Sequence, residues 1–249
     1  PDAIPFLNLP SLLKRREIKF YIYNIFACLF LTSVAYPSQE AALPSAMSQT
    51  SSCSSIAQID SIKKSAQQGD AKAQCNLGIM YSQGQGIAKD DREAFKWLSK
   101  AAEQQYAPAQ LELGVLYSQG RGIKEDLRKA FELFFSAAQQ QCAPAQYNLG
   151  AFYEKGTGVE QNWKEAVKWY TAAALQQFAP AQHNLGVLYA QGQGVEQDWR
   201  EAFKLFSAAA RQQYAPSQNN LGTLYVQGKG VEKDLKEAVK WFSLAAQQG

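Results

Sequence analysis

The sequence predicts an all-α protein, a right-handed α-solenoid of stacked helix-turn-helix units. From Ala71 onward the chain repeats every 36 residues without an insertion. Each period contains two stretches with the apolar spacing of an amphipathic helix, and a Gly-x-Gly sequence separates them. One unit of this kind cannot bury its apolar faces, whereas stacked units can, so we expect the units to share a continuous core.

The composition is that of a folded protein and excludes several functional classes. Hydrophobic residues make up 46% of the chain and aromatic residues 12%, which supplies enough apolar surface to exclude disorder throughout. The net charge of +3 is too small to argue for nucleic-acid binding. Four cysteines are too few for a disulfide scaffold, and the single histidine, His183, excludes any mechanism or metal site that needs two.

The N-terminal segment has the layout of a secretory signal peptide. Basic residues between Lys14 and Lys19 precede an apolar run from Phe20 to Ala35, which ends in small residues. We therefore expect residues 1–35 to be a signal peptide and the protein to be exported, either periplasmic or secreted.

Two other interpretations of this segment stay open. The apolar run is shorter than a typical membrane span of roughly 20 residues, yet residues 20–36 could remain attached as an uncleaved anchor in the inner membrane, with tyrosines such as Tyr36 at the interface. Alternatively, Met47 is the true start of the protein.

The rest of the chain divides into a linker, a cap and five units. Residues 36–55 are rich in Ser, Ala, Pro and Gln and predict a flexible linker, and residues 56–70 predict a helix that caps the first unit. No comparable cap follows residue 249, so either the chain continues or a partner covers the last helix. The predicted units are 71–106, 107–142, 143–178, 179–214 and 215–249.

The first helix of each unit, helix A, is predicted over positions 2 to 13, counted from the first residue of the unit. Units two to five place a proline in its first turn, where the missing N–H costs nothing. Every unit also has a glycine at position 8, inside this helix, which costs about 1 kcal/mol relative to alanine. We expect close approach of the second helix to compensate. These glycines are Gly78, Gly114, Gly150, Gly186 and Gly222.

The second helix, helix B, is predicted to begin at position 20 with an Asp or Asn cap. A Glu follows three residues later, except in unit two, which has Lys129. Trp97, Trp169 and Trp241 share position 27, and this regular register favours packing between units over stacking on a sugar. The cysteines of the repeats, Cys75 and Cys142, occupy different positions and are expected to be free thiols.

These units resemble the Sel-1-like repeat family, a subgroup of tetratricopeptide-like solenoids. The pattern A-x-A-Q-x-N-L-G-x-x-Y-x-x-G-x-G-V-x-x-D-x-x-x-A-x-x-W-x-x-x-A-A is seen nearly whole in residues 179–210, where Leu205 replaces the family Trp. The chain departs from the family at position 35, where glycine is usual. Four units carry glutamine there: Gln105, Gln141, Gln177 and Gln213.

The resemblance implies a non-catalytic scaffold that binds a peptide or protein segment on the concave face lined by helix A. By this analogy, positions 5, 6, 9, 12 and 13 of helix A supply the candidate contacts. The asparagines of position 6 could bond an extended peptide or tie neighbouring helices together, and His183 could contact a ligand or simply pack. Glu154 and Lys155 give unit three charges where no other unit has them at positions 12 and 13. The candidates are Asn76, Leu111, Val115, Gln119, Tyr147, Asn148, Glu154, Lys155, His183, Asn184, Val187, Gln191, Asn219 and Asn220.

Two alternatives accompany this interpretation. A cysteine-rich branch of the family has been associated with penicillin binding and β-lactamase activity, which makes an envelope enzyme the alternative function, although no Ser-x-x-Lys stands in a suitable context here. Self-association through the uncapped fifth unit is the alternative mode of interaction. We expect no metal, no cofactor and no nucleic-acid partner.

Overall fold

The computed structural model describes residues 52–248, which form eleven α-helices. Helix α1 precedes the repeats, and each unit then contributes one helix A and one helix B. The expected signal peptide or anchor, and most of the expected linker, lie outside the described residues. The helices are α1 (Ser52–Gln67), α2 (Ala71–Gln83), α3 (Asp91–Glu103), α4 (Ala107–Gln119), α5 (Leu127–Gln139), α6 (Ala143–Lys155), α7 (Trp163–Leu175), α8 (Ala179–Gln191), α9 (Trp199–Arg211), α10 (Ala215–Gln227) and α11 (Leu235–Ala246).

Each helix packs against the helix before it and the helix after it, first within a unit and then across to the next. Helix α1 begins at Ser52, earlier than the expected start of the cap, and contributes the buried Ala66 to a cluster with Ala73 and Leu77 of α2. The described chain contains helices and no strand between residues 52 and 248. The predicted fold class, an all-α solenoid of helix-turn-helix repeats, is confirmed.

The glycine inside helix A marks the point where the two helices of a unit touch. A Cβ built on Gly150 would lie 2.7 Å from the ring of Tyr170, and one built on Gly114 would lie 2.7 Å from the ring of Phe134. The other three units show the same clash with the residue at position 28, at 2.6 to 2.9 Å. The expected close approach of helix B is therefore present in all five units.

In units two to five, the second glycine of the turn brings consecutive units together. Gly158 has a φ of +67°, and a Cβ on it would lie 2.6 Å from the carbonyl oxygen of Leu127, the first residue of the preceding helix B. Gly230 meets the carbonyl of Trp199 in the same way. Only a residue without a side chain lets the turn of one unit rest on the backbone of the unit before it.

Helix B begins at its predicted cap in every unit. Asp126 accepts a hydrogen bond from the backbone N–H of Lys129 at 3.0 Å, so the cap forms even in the unit that lacks the glutamate. In unit one, the side chain of Glu93 bonds Lys96 and Trp97, at 2.9 and 3.1 Å. The capping Asp or Asn, rather than the full capping box, is thus what these starts share.

Glutamine occupies the left-handed turn between units. Gln105, Gln141, Gln177 and Gln213 have φ values from 58° to 63°, a region that favours glycine. Gly69, at the matching place after α1, has a φ of 97°. The turn therefore keeps a left-handed backbone where the family usually has glycine, and each glutamine holds a conformation that costs an L-residue about 1 kcal/mol.

A ladder of buried glutamines connects the units, a role that the repeat pattern alone does not indicate. In unit three, the amide nitrogen of Gln146 donates to the carbonyl of Ala138 at 3.1 Å, and its oxygen accepts from Gln176 at 2.8 Å. The first bond reaches the preceding helix B, and the second reaches the end of the unit's own helix B. The ladder residues, all at position 4, are Gln74, Gln110, Gln146, Gln182 and Gln218.

Candidate partner-binding face

The candidate residues lie on what we call the helix A face, formed by positions 5, 6, 9, 12 and 13 of α2, α4, α6, α8 and α10. These positions share one side of a helix because their spacing follows the helical period. None of the fourteen candidates is fully buried. Asn76, Gln119, Lys155 and Gln191 are exposed, and the other ten are partly buried.

At position 5, aromatic rings of the helix A face also pack inside their own unit. The ring of Tyr147 lies 5.7 Å from that of Tyr170 and 5.6 Å from that of Phe178, measured between centroids. His183 is equivalent in unit four, 5.5 Å from Phe206 and 5.4 Å from Tyr214. These side chains therefore stabilise the contact between helix A and helix B, and present only part of their surface outward.

His183 has a hydrogen-bond partner within the solenoid. Its Nδ1 lies 2.9 Å from the hydroxyl of Ser217, which is fully buried at a position where the other four units have alanine. Burial lowers the pKa of His183 from 6.5 to about 4 because it disfavours the charged ring. The imidazole is therefore neutral at neutral pH, and one of its nitrogens is engaged inside the protein.

A polar cluster lies where unit three meets unit four, and it is formed by α6, α7 and α8. Tyr170 is fully buried at position 28, where the other units have Leu or Phe. Its hydroxyl donates to the carboxylate of Glu154 and accepts from the amide of Asn184 at 3.1 Å. Burial, followed by the nearby charge of Glu154, raises the pKa of Tyr170 well above its usual value, so the hydroxyl stays a donor.

The asparagines of position 6 fall into two groups. Asn184 joins α8 to α7 through Tyr170, as one of the two sequence-based hypotheses requires. In contrast, the side chains of Asn76, Asn148 and Asn220 have no partner among the hydrogen bonds of residues 52–248, and each is at least partly accessible. Three amides on the helix A face are therefore available to another molecule.

The last helix exposes apolar side chains that earlier units cover. Leu235 and Val239 of α11 are each 51% exposed. In unit two, the equivalent of Val239 is Phe131, which packs edge-to-face on Tyr153 of the next unit at 5.5 Å. Self-association through this part of α11 stays a prediction.

The remaining chemistry of the described residues is plain. Cys75 and Cys142 are free thiols, and burial raises the pKa of Cys75 to about 12, which keeps it protonated. Within residues 52–248 no three His, Cys, Asp or Glu side chains are grouped to hold a metal ion. No helix in the same range has both the length and the hydropathy needed to cross a membrane.

Comparisons with known proteins support one family. The Sel1 repeat model matches residues 71–106, 107–142, 143–178, 179–214 and 215–249, the five units read from the sequence. A protective antigen with an SLR fold from uropathogenic Escherichia coli is 37% identical, with a TM-score of 0.72. The match covers 76% of this chain and 41% of that protein.

Two further solved structures are similar. A Sel1 repeat protein from Oxalobacter formigenes is 33% identical with a TM-score of 0.72, over 77% of this chain and 55% of that one. The immunity protein PA5088 from Pseudomonas aeruginosa is 19% identical with a TM-score of 0.53, over 98% of this chain and 88% of that one, and shows the fold alone. This chain thus spans about half the length of the first two. No curated protein matches it.

Proposed function

Because the chain belongs to the Sel1 repeat family, we propose that it is a scaffold that binds an extended peptide or protein segment on the helix A face. Sel1 repeat proteins generally mediate protein–protein interaction. We further propose that this face is concave and that the partner binds it in an extended conformation. Sel1 scaffolds are generally non-catalytic, so we do not propose the envelope-enzyme alternative.

The accessible asparagines of position 6 are the observation that carries the proposal. A side-chain amide presents one acceptor and two donors, which match the N–H and C=O groups of an extended backbone. Asn76, Asn148 and Asn220 occupy the same position of α2, α6 and α10 and have no internal hydrogen-bond partner within residues 52–248. A peptide that runs across the helices would meet these amides in succession.

The rest of the helix A face suits a partner recognised by shape and hydrogen bonds more than by charge. Among its positions in all five units, only Glu112, Glu154 and Lys155 carry a charge. Val115 and Val187 at position 9 are partly accessible and offer apolar contact. Specificity then depends on a few positions, because neutral polar and small apolar side chains make up the remainder.

We also propose that the protein acts outside the cytoplasm, as the pattern of basic and apolar residues before Ala35 indicates. A cleaved signal peptide gives a soluble periplasmic or secreted scaffold, and an uncleaved segment gives one tethered to the inner membrane. Cell fractionation followed by N-terminal sequencing separates these cases. A protein found only in the cytoplasm with its N-terminal residues intact would contradict export.

The binding proposal is tested with a displayed library of random peptides selected on the purified full chain. Peptides that bind the wild type are titrated against a variant with Asn76→Ala, Asn148→Ala and Asn220→Ala. We expect a loss of tenfold or more, because three hydrogen bonds to the peptide disappear. The matched control carries Gln139→Ala, Lys164→Ala and Lys236→Ala, exposed on helix B. Equal losses in both variants would refute the choice of face.

A further inference from the structure

Glu154 is an acidic residue of the helix A face without a cation beside it. Position 12 is Ser82, Ser118, Ala190 and Val226 in the other units. The ion pairs formed within residues 52–248 involve Asp91, Glu93, Glu165, Glu201 and Glu237, each with a Lys or Arg at 2.6 to 3.1 Å, and leave Glu154 out. Lys155 follows it directly in α6, and neighbouring residues of a helix do not face each other. Glu154 therefore forms no ion pair with a side chain of residues 52–248.

A hydrogen bond from a buried side chain holds the carboxylate of Glu154 in place. Its donor, the hydroxyl of Tyr170, belongs to a side chain with no exposed surface. That hydroxyl also accepts from Asn184 at 3.1 Å, and the Tyr147 ring packs on the Tyr170 ring at 5.7 Å. Three helices thus fix the carboxylate before any partner arrives, which reduces the entropy lost on binding.

The hydrogen-bond acceptor sites that remain free on the Glu154 carboxylate indicate which chemical group would bind it. A carboxylate offers about four acceptor sites, and Tyr170 takes one of them. A partly buried negative charge is stabilised most by a positive donor, and Arg or Lys forms shorter and stronger hydrogen bonds with carboxylates than neutral groups do. A neutral peptide laid over Glu154 would desolvate the charge without compensating it.

We infer that Glu154 receives a lysine or arginine side chain of the bound peptide, and that Tyr170 and Asn184 are positioning residues for this contact. The inference rests on the proposed function and deepens it, since it names the chemistry that the partner presents at unit three. The asparagines then form hydrogen bonds with the peptide backbone whatever the peptide sequence, and Glu154 binds one basic side chain of the peptide.

The chain itself supplies well-matched variants for the test. Tyr170→Phe places a phenylalanine at position 28, as three other units have in Phe134, Phe206 and Phe242. Helix packing is therefore retained while the hydroxyl is lost. Glu154→Gln removes the charge and keeps the size. Both variants are checked for the melting temperature and helical content of the wild type before binding is measured.

The experiment uses peptides selected from the random library on the full wild-type chain. We expect enrichment of Lys or Arg at one peptide position. Replacing that residue with norleucine should weaken binding to the wild type about tenfold or more, and only slightly to Glu154→Gln. In Tyr170→Phe, the ratio of the affinity for the basic peptide to the affinity for the norleucine peptide should fall about threefold or more. A change in helix packing alone would not change this ratio.

The outcomes separate this inference from the proposal on which it rests. Peptides that bind through the asparagines but show no basic enrichment, or a lysine-to-norleucine ratio that Glu154→Gln leaves unchanged, would overturn the role of Glu154 and leave the proposed function standing. A wild-type chain that retains no peptide from the library would overturn both.

Discussion

The side-chain amide of Asn184 donates a hydrogen bond to the hydroxyl of Tyr170, 3.1 Å away, and so connects helix A of unit four to helix B of unit three. Tyr170 is the only tyrosine at position 28, and Asn184 is one of four asparagines at position 6. The same residue type therefore has an internal role in one unit and an accessible side chain in others. This difference depends on what the neighbouring unit places beneath the amide.

The first prediction concerns this pair. Asn184→Ala should lower the free energy of unfolding by about 1 kcal/mol, because the buried hydroxyl of Tyr170 loses a donor. Asn148→Ala, at the same position of unit three, should change it by less than about 0.5 kcal/mol. Urea denaturation of both variants followed by circular dichroism measures the difference. Equal losses would mean that the Asn184 bond adds no stability.

The second prediction concerns the glutamine ladder. Gln146→Ala should destabilise the protein by about 1 to 3 kcal/mol, because the buried carbonyl of Ala138 and the amide of Gln176 each lose a partner. Gln139→Ala, on the exposed side of α5, is the control and should be nearly neutral. The two are compared by urea denaturation. A neutral Gln146→Ala would show that water replaces the ladder without cost.

The third prediction concerns the left-handed turn between units. Gln141 has a φ of 61°, so Gln141→Gly should relieve strain and raise the free energy of unfolding by up to about 1 kcal/mol. Glycine also makes the unfolded chain more flexible, which offsets part of this gain. Glu132→Gly, inside α5, should instead cost about 1 kcal/mol. Thermal denaturation distinguishes the two, and a loss in both would contradict the strain at Gln141.

The fourth prediction is a dependence of stability on pH that comes from His183. Its pKa is about 4 when folded and near 6.5 when unfolded, so the unfolded chain binds the proton more readily. The contribution of the neutral ring is complete above pH 6.5 and is lost as the pH falls towards 4, by up to about 3 kcal/mol. It is measured as the difference between wild type and His183→Asn, the residue that unit five has at this position. A constant difference from pH 7 to 4 would refute it.

Much of the fold follows from the sequence because a residue type that is kept at one position of every unit indicates how the helices pack there. An identical glycine at position 8 of every unit predicts a close helix contact, and Gly150 lies against Tyr170 as expected. The ends of the helices follow from proline, glycine and capping residues, whose effects are local. These features need no knowledge of the neighbouring unit, so one sequence was sufficient to place them.

The polar contacts between units were not predictable in the same way. Gln146 stands in the repeat pattern like any other constant residue, and only the stacked helices show that it bridges Ala138 and Gln176. Ser217 replaces the alanine of the other units, and only the structure shows that His183 of the preceding unit lies beside it. The one sequence signal for this contact is that the single histidine, His183, and the single serine at position 3, Ser217, occur in consecutive units.

Binding of the partner by the helix A face can be tested by photo-cross-linking. A selected peptide is cross-linked to protein that carries p-benzoylphenylalanine in place of Asn148, on the helix A face, or in place of Gln139, on helix B. We expect a cross-linked product from position 148 and none from position 139. Cross-linking from position 139 alone would contradict binding at the helix A face and place the partner on helix B.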